Sequence, residues 1–122
     1  MAPRPLIKRV YEPAATADGV RILVDRLWPR GLSEQKAGVD EWLKDIAPSA
    51  ALRKWFGHDP ARWDEFRRRY QAELADNEAA TARLLELARK GPVTLVYAAR
   101  DSEHNNAVVL ADFVQQAASD DD

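Results

Sequence analysis

The sequence predicts an α/β fold: a single compact domain with a small, mainly parallel sheet flanked by helices. Three observations carry this. The chain has 122 residues, the size of one domain. Two short runs near its start, Leu6 to Tyr11 and Val20 to Asp25, are rich in branched apolar residues and read as strands. A third run, from Val93 to Tyr97, is almost continuously apolar and lies between two helical patterns, as expected of a parallel strand buried on both faces. No repeat and no Gly/Ser-rich or Pro-rich linker divides the chain, so residues 1–122 are expected to form one unit, with 1–4 and 118–122 as flexible termini.

The elements follow in order. The loop between the first two strands holds Pro13, Asp18 and Gly19, and the strands could pair directly or be joined across the sheet. Trp28-Pro29-Arg30-Gly31 breaks regular structure, because the residue before proline is pushed out of the helical region. Ser33 can cap a short turn through Ala37, and Val39 to Ile46 mixes periods of two and three, which leans towards an extended piece.

Pro48-Ser49 opens a short helix that Gly57 stops, and Asp59-Pro60 begins another with an acidic cap and proline at its first position. Trp63, Phe66, Tyr70 and Leu74 then recur at spacings of three and four, giving one aromatic face. A further helix runs from Asn77 to Lys90 on Ala80, Leu84, Leu87 and Ala88 and ends before Gly91-Pro92. After the Val93 strand, Ala107, Leu110, Ala111 and Val114 mark a last helix from about Glu103 to Ala117. The tryptophans at 28, 42, 55 and 63 are read mainly as core residues.

Composition removes several kinds of chemistry. There is no cysteine, hence no disulfide, thiolate nucleophile or thiolate metal site. The net charge of -2 lacks the basic excess of a dedicated nucleic-acid binder, which disfavours that partner while leaving local basic patches open. No apolar run approaches the roughly 20 residues of a membrane span, and Met1 to Pro5 leads straight into a strand pattern, so a cytoplasmic protein without a membrane partner is expected. Phosphate-loop, dinucleotide and nucleophile-elbow motifs are all missing, and no cofactor is indicated. A homo-oligomer stays open.

Two strand ends carry the polar residues of interest, Asp25 to Gly31 and Arg100 to Asn106. In open α/β sheets ligands collect outside the carboxyl ends of strands, so if these two strands are parallel neighbours the loops meet. Arg26, Arg30 and Arg100 would then grip a phosphate or carboxylate through forked hydrogen bonds, with Asn105 as a further donor and Trp28 as a flat surface for stacking. The same arginines could instead pair with nearby carboxylates and staple the loops.

His104 is the candidate general acid or base, Asp101 the residue that would orient it, and His58 an alternate proton carrier that Asp59 could steer. A metal held by both histidines and a carboxylate has no support from spacing. The competing reading is a non-catalytic module that touches nucleic acid or a protein partner through Arg53, Lys54, Arg62 and Arg67 to Arg69.

Three blocks in order, Val24-Asp25-Arg26-Leu27-Trp28-Pro29-Arg30-Gly31-Leu32, then Ala47-Pro48-Ser49 with Leu52-Arg53-Lys54-Trp55-Phe56-Gly57-His58-Asp59, then Tyr97-Ala98-Ala99-Arg100-Asp101 with His104-Asn105-Asn106-Ala107, make the chain resemble the YeaO-like branch of a bacterial family of unknown function. The resemblance runs from about Ile7 to Phe113. It implies a compact α/β domain in a bacterial cytosol, and brings no established activity with it. Related branches place cysteines and a His-Arg pair in the last strand–loop–helix, where this chain has Ala98, Ala99 and His104-Asn105, so any thiol chemistry of those branches is not available here.

Overall fold

The Val93–Tyr97 run forms the strand on which the fold is built, and all five of its residues are buried. In the computed structural model, which describes residues 4–120, four strands lie in the order β1 (Leu6–Arg9), β4 (Val93–Tyr97), β2 (Val20–Leu23) and β3 (Glu41–Trp42). Every neighbouring pair is parallel, with Ile7 opposite Leu95 and Ile22 opposite the same residue from the other side. The first two strands are therefore joined across the sheet, with β4 between them.

Alternation along the strands sorts their side chains onto two faces. Val93, Leu95 and Tyr97 join Ile22 and Val24 in the larger core, with α2 (Ala50–Phe56), α3 (Trp63–Ala75), α4 (Glu78–Lys90) and α5 (Asn106–Asp120) supplying Leu52, Phe66, Tyr70, Leu84, Leu110 and Val114. Val96 and Leu23 point the other way, into a smaller cluster with Val10 and with Ala37 of the one-turn helix α1 (Glu34–Ala37). Helices cover one face and loops with a single turn cover the other. Among the described residues no helix is long and apolar enough to cross a membrane.

Several boundaries differ from those read in the sequence. The ambiguous Val39–Ile46 segment splits into the two-residue edge strand β3 and a 3-10 turn, Lys44–Ile46. Trp42 lies on that edge and is 37% exposed, while Trp28, Trp55 and Trp63 are half-buried, so the tryptophans line the margins of the core. The last helix begins at Asn106, three residues late, because the Asp101 carboxylate accepts the N–H groups of Glu103 and His104 and holds that segment in a turn. Asn105 is the cap, its Oδ1 accepting from Val108 N at 3.1 Å. Of the expected flexible termini, 1–3 and 121–122 lie outside the described residues; Arg4 pairs with Asp112.

A buried charge cluster fixes the thin face. Arg21, in the middle of β2, is 2% exposed and donates to Asp18 at 2.9 Å, while Lys8 reaches the same carboxylate at 3.1 Å. The N–H of Ala15, then the two cations, hold the Asp18 carboxyl down at about 2, against the upward push of burial. A depressed carboxylate stabilises the fold above its ordinary value of 3.8, and that contribution is lost as pH falls through 2. Unfolding midpoints followed by circular dichroism from pH 6 to pH 2 are therefore expected to fall more shallowly below pH 4 in Asp18→Asn than in the unmodified protein. Equal slopes would mean that Asp18 contributes nothing to the acid sensitivity.

Candidate functional site: a cleft at the strand ends

The register of β2 against β4 sets the site, since Leu23 lies opposite Val96 and the two chains leave the sheet side by side. Beyond the sheet the two exit loops are stitched together. The Asp25 carboxylate accepts from Ala98 N at 2.8 Å and from Asn106 Nδ2 at 3.2 Å, and the same amide donates to Val24 O at 2.9 Å. Burial pushes the Asp25 carboxyl above its ordinary value, and the bonds from Ala98 and Asn106 only partly oppose this.

Between these loops and α2 lies a cleft of about 540 Å³. Arg26, Trp28, Arg30, His58, His104 and Asn105, read from sequence as site residues, all line it. Arg100 is exposed and does not line it, and Asp101 stands behind His104. The structure also brings in residues not singled out as ligand contacts in the cleft: Tyr11, Asp25, Arg53 and Asn106.

Arg26 pairs with Asp45 at 3.1 Å, but with side chains 51% and 77% exposed the pair contributes little. Arg30 forms no ion pair among the described residues, its backbone carbonyl alone accepting from the Tyr11 hydroxyl at 3.1 Å. Arg53 carries a buried Nε with no hydrogen-bond partner. Stapling by nearby acids therefore accounts for Arg26 in part and for Arg30 not at all.

His104 Nδ1 lies 2.9 Å from Asp101 Oδ2, and its ring packs edge-on to Trp63 at 5.3 Å. The Glu103 N–H, followed by His104, keeps the Asp101 carboxyl below the usual range, so Asp101 is an anionic partner that fixes the imidazole and leaves Nε2 for other contacts. His58 sits at φ 57°, a left-handed conformation costly for a residue with a Cβ, directly after Gly57 in the same region. Asp59 does not steer it: that carboxylate caps Ala61 N at 3.0 Å and lies 3.8 Å from Arg62 Nε. Asn105, at 3% exposure, donates its Nδ2 to Asp101 O and accepts from Val108 N, so it shapes the loop more than it offers donors.

The cleft lining holds no serine, threonine, cysteine or lysine, and its one carboxylate is engaged by N–H donors. Among the described residues no group of three His, Cys, Asp or Glu side chains could hold a metal ion.

Fold and site together define a small α/β domain with a basic cleft at the carboxyl ends of two adjacent parallel strands. The chain belongs to the family described as the inactive DUF488-N3 subclade, which it matches over residues 6–122. It is 49% identical over 108 residues to the uncharacterised protein YeaO of Escherichia coli, covering 88% of this chain and 94% of that protein. The uncharacterised protein Rv3073c of Mycobacterium tuberculosis is 48% identical over 105 residues, 86% of this chain and 88% of its own length. No solved structure matches the chain.

Proposed function

We propose that the protein binds an anionic small molecule, bearing phosphate or carboxylate, in the strand-end cleft and holds it without covalent chemistry. The observation that carries this is the convergence of Arg26, Arg30 and Arg53 with two imidazoles on one cavity, two of those arginines having donors without an internal acceptor. Arg53 Nε is desolvated in advance of binding while the exposed Arg30 guanidinium is unpaired among the described residues, and forked donors of this kind are complementary to a planar or tetrahedral oxyanion. The lack of a serine, threonine, cysteine or lysine nucleophile in the lining fits the family's description as inactive. His104, fixed by Asp101, serves as a ligand contact.

The reading as a nucleic-acid or protein-docking surface draws less support. Arg62, Arg67, Arg68 and Arg69 each have a carboxylate partner on their own or a neighbouring helix, so that face presents mixed charge.

Thermal denaturation against a panel of phosphorylated and carboxylated metabolites tests the proposal, with a dissociation constant by calorimetry for the best of them. Arg30→Ala is expected to weaken that ligand about 10-fold or more, the worth of one charged hydrogen bond, while moving the unliganded stability by no more than about 0.5 kcal/mol. A panel in which no anion raises the melting temperature would sink the proposal.

A further inference from the structure

A second cavity of about 400 Å³ shares Arg26, Ala47, Pro48 and Arg53 with the cleft and continues from it towards α3 and the start of α4. Its polar groups have the opposite character. Glu73 accepts from Ser49 N at 2.8 Å and Ser49 Oγ at 2.6 Å, which leaves each oxygen a further lone pair. Asn77 gives Nδ2 to Asp45 O at 2.8 Å and keeps its Oδ1. The Tyr70 hydroxyl is taken up by Ile46 O at 2.5 Å and offers no proton. Asp45 is held only by the exposed pair with Arg26. Apart from the two arginines on the boundary and the second amide N–H of Asn77, the chamber therefore presents acceptors, and what it chiefly satisfies is a hydrogen-bond donor.

We propose that the two cavities form one site for a two-part ligand: an oxyanion head in the arginine-lined cleft, and a tail bearing hydroxyl or ammonium groups against Asp45, Glu73 and Asn77. This rests on the anion reading of the cleft and specifies its ligand. Arg53 stands on the boundary with a buried, unpartnered Nε, so the head of such a ligand is placed where its tail must enter the acceptor chamber. Arg26 sits on the same boundary, and the exposed Arg26–Asp45 pair is weak enough to open for the passage. A simple phosphate would use the first cavity alone.

The test is calorimetric titration of the full chain with inorganic phosphate, ethyl phosphate, ribose 5-phosphate and 2-aminoethyl phosphate. Ethyl phosphate is expected to bind no more tightly than phosphate, and at least one of the two donor-bearing esters at least 10-fold more tightly. The hydroxyl and ammonium arms separate a sugar tail from an amine tail. Asp45→Asn and Glu73→Gln, each replacing a carboxylate oxygen by an amide that donates, are expected to reduce the ratio of ester to phosphate affinity. Phosphate binding with no gain from either tail overturns the two-part site and leaves the anion cleft standing. Binding of none of the four overturns the two-part site, and the anion cleft then falls as well if the carboxylated members of the metabolite panel also fail to bind.

Discussion

Arg21→Met will destabilise the protein by about 3–5 kcal/mol, the usual cost of removing one partner from a buried ion pair. The guanidinium does more than pair with Asp18. Its Nε donates to Gly38 O at 3.1 Å, and its Nη2 to Ala37 O at 3.1 Å and Glu12 O at 3.2 Å. One side chain thus serves carbonyls at the end of α1 and in the loop after β1, on a face that has no packed helical layer to exclude water by other means. Methionine fills comparable volume and restores none of these donors. Arg21→Lys keeps a charge near Asp18 but cannot reach several carbonyls in a fork, and is expected to lose about 1–3 kcal/mol. Urea unfolding with an unchanged slope measures both. A loss under about 1 kcal/mol for methionine would show the cluster to be ornamental.

The cluster was only partly legible in the sequence, and the reason is physical. Arg21 sits in a run otherwise apolar, where a single arginine in a strand reads as an outward-facing position; only the pairing of β2 with β4, and the return of 10–19 past its face, enclose it. The sheet itself could be read, because β4 is buried on both sides and its composition records that. Strand order could not, since nothing local to Leu6–Arg9 or Val20–Leu23 says that β4 lies between them.

Gly19 marks the joint. At φ 62° it lies against Pro92, the residue before β4, and a Cβ there would overlap the Pro92 carbonyl that receives the Val20 N–H at 3.1 Å. Glycine in a loop signals a turn from sequence alone, but which chain it must approach closely is a tertiary fact.

The site shows the same division. That the loops after Leu23 and Tyr97 would meet follows from parallel neighbours, and most residues proposed from them line one cleft. Arg100 fails because the turn capped by Asp101 carries it to the surface. Asp25 is missed because a carboxylate beside arginines reads as their counter-ion, whereas it accepts backbone and amide N–H groups instead. Its position at the carboxyl end of a buried strand was the available signal.

Arg53→Met is expected to do the reverse of Arg21→Met: stability within about 1 kcal/mol of the unmodified protein, with affinity for the cleft's anion reduced about 10-fold or more. Both residues are arginines with buried nitrogens, and their partners differ. Arg21 bonds to a carboxylate and to backbone carbonyls, so the folded state uses its charge. Arg53 Nε is buried with no acceptor, a desolvation that costs about 1–3 kcal/mol and that methionine relieves. Against this stands the lost attraction to Asp25, whose carboxyl is pushed up by burial and whose charge the Ala98 N–H and Asn106 amide still support. The opposing contributions nearly cancel in the unliganded protein and both favour arginine once an oxyanion is present, because the ligand supplies the missing acceptor and adds negative charge beside Asp25. Chemical denaturation of Arg53→Met alone, and with the best ligand from the metabolite panel at saturation, separates the cases. A loss of about 3 kcal/mol or more without ligand, the range of a broken buried ion pair, would place Arg53 among the residues that hold the fold. It would also take from the cleft the donor on which the binding proposal most depends.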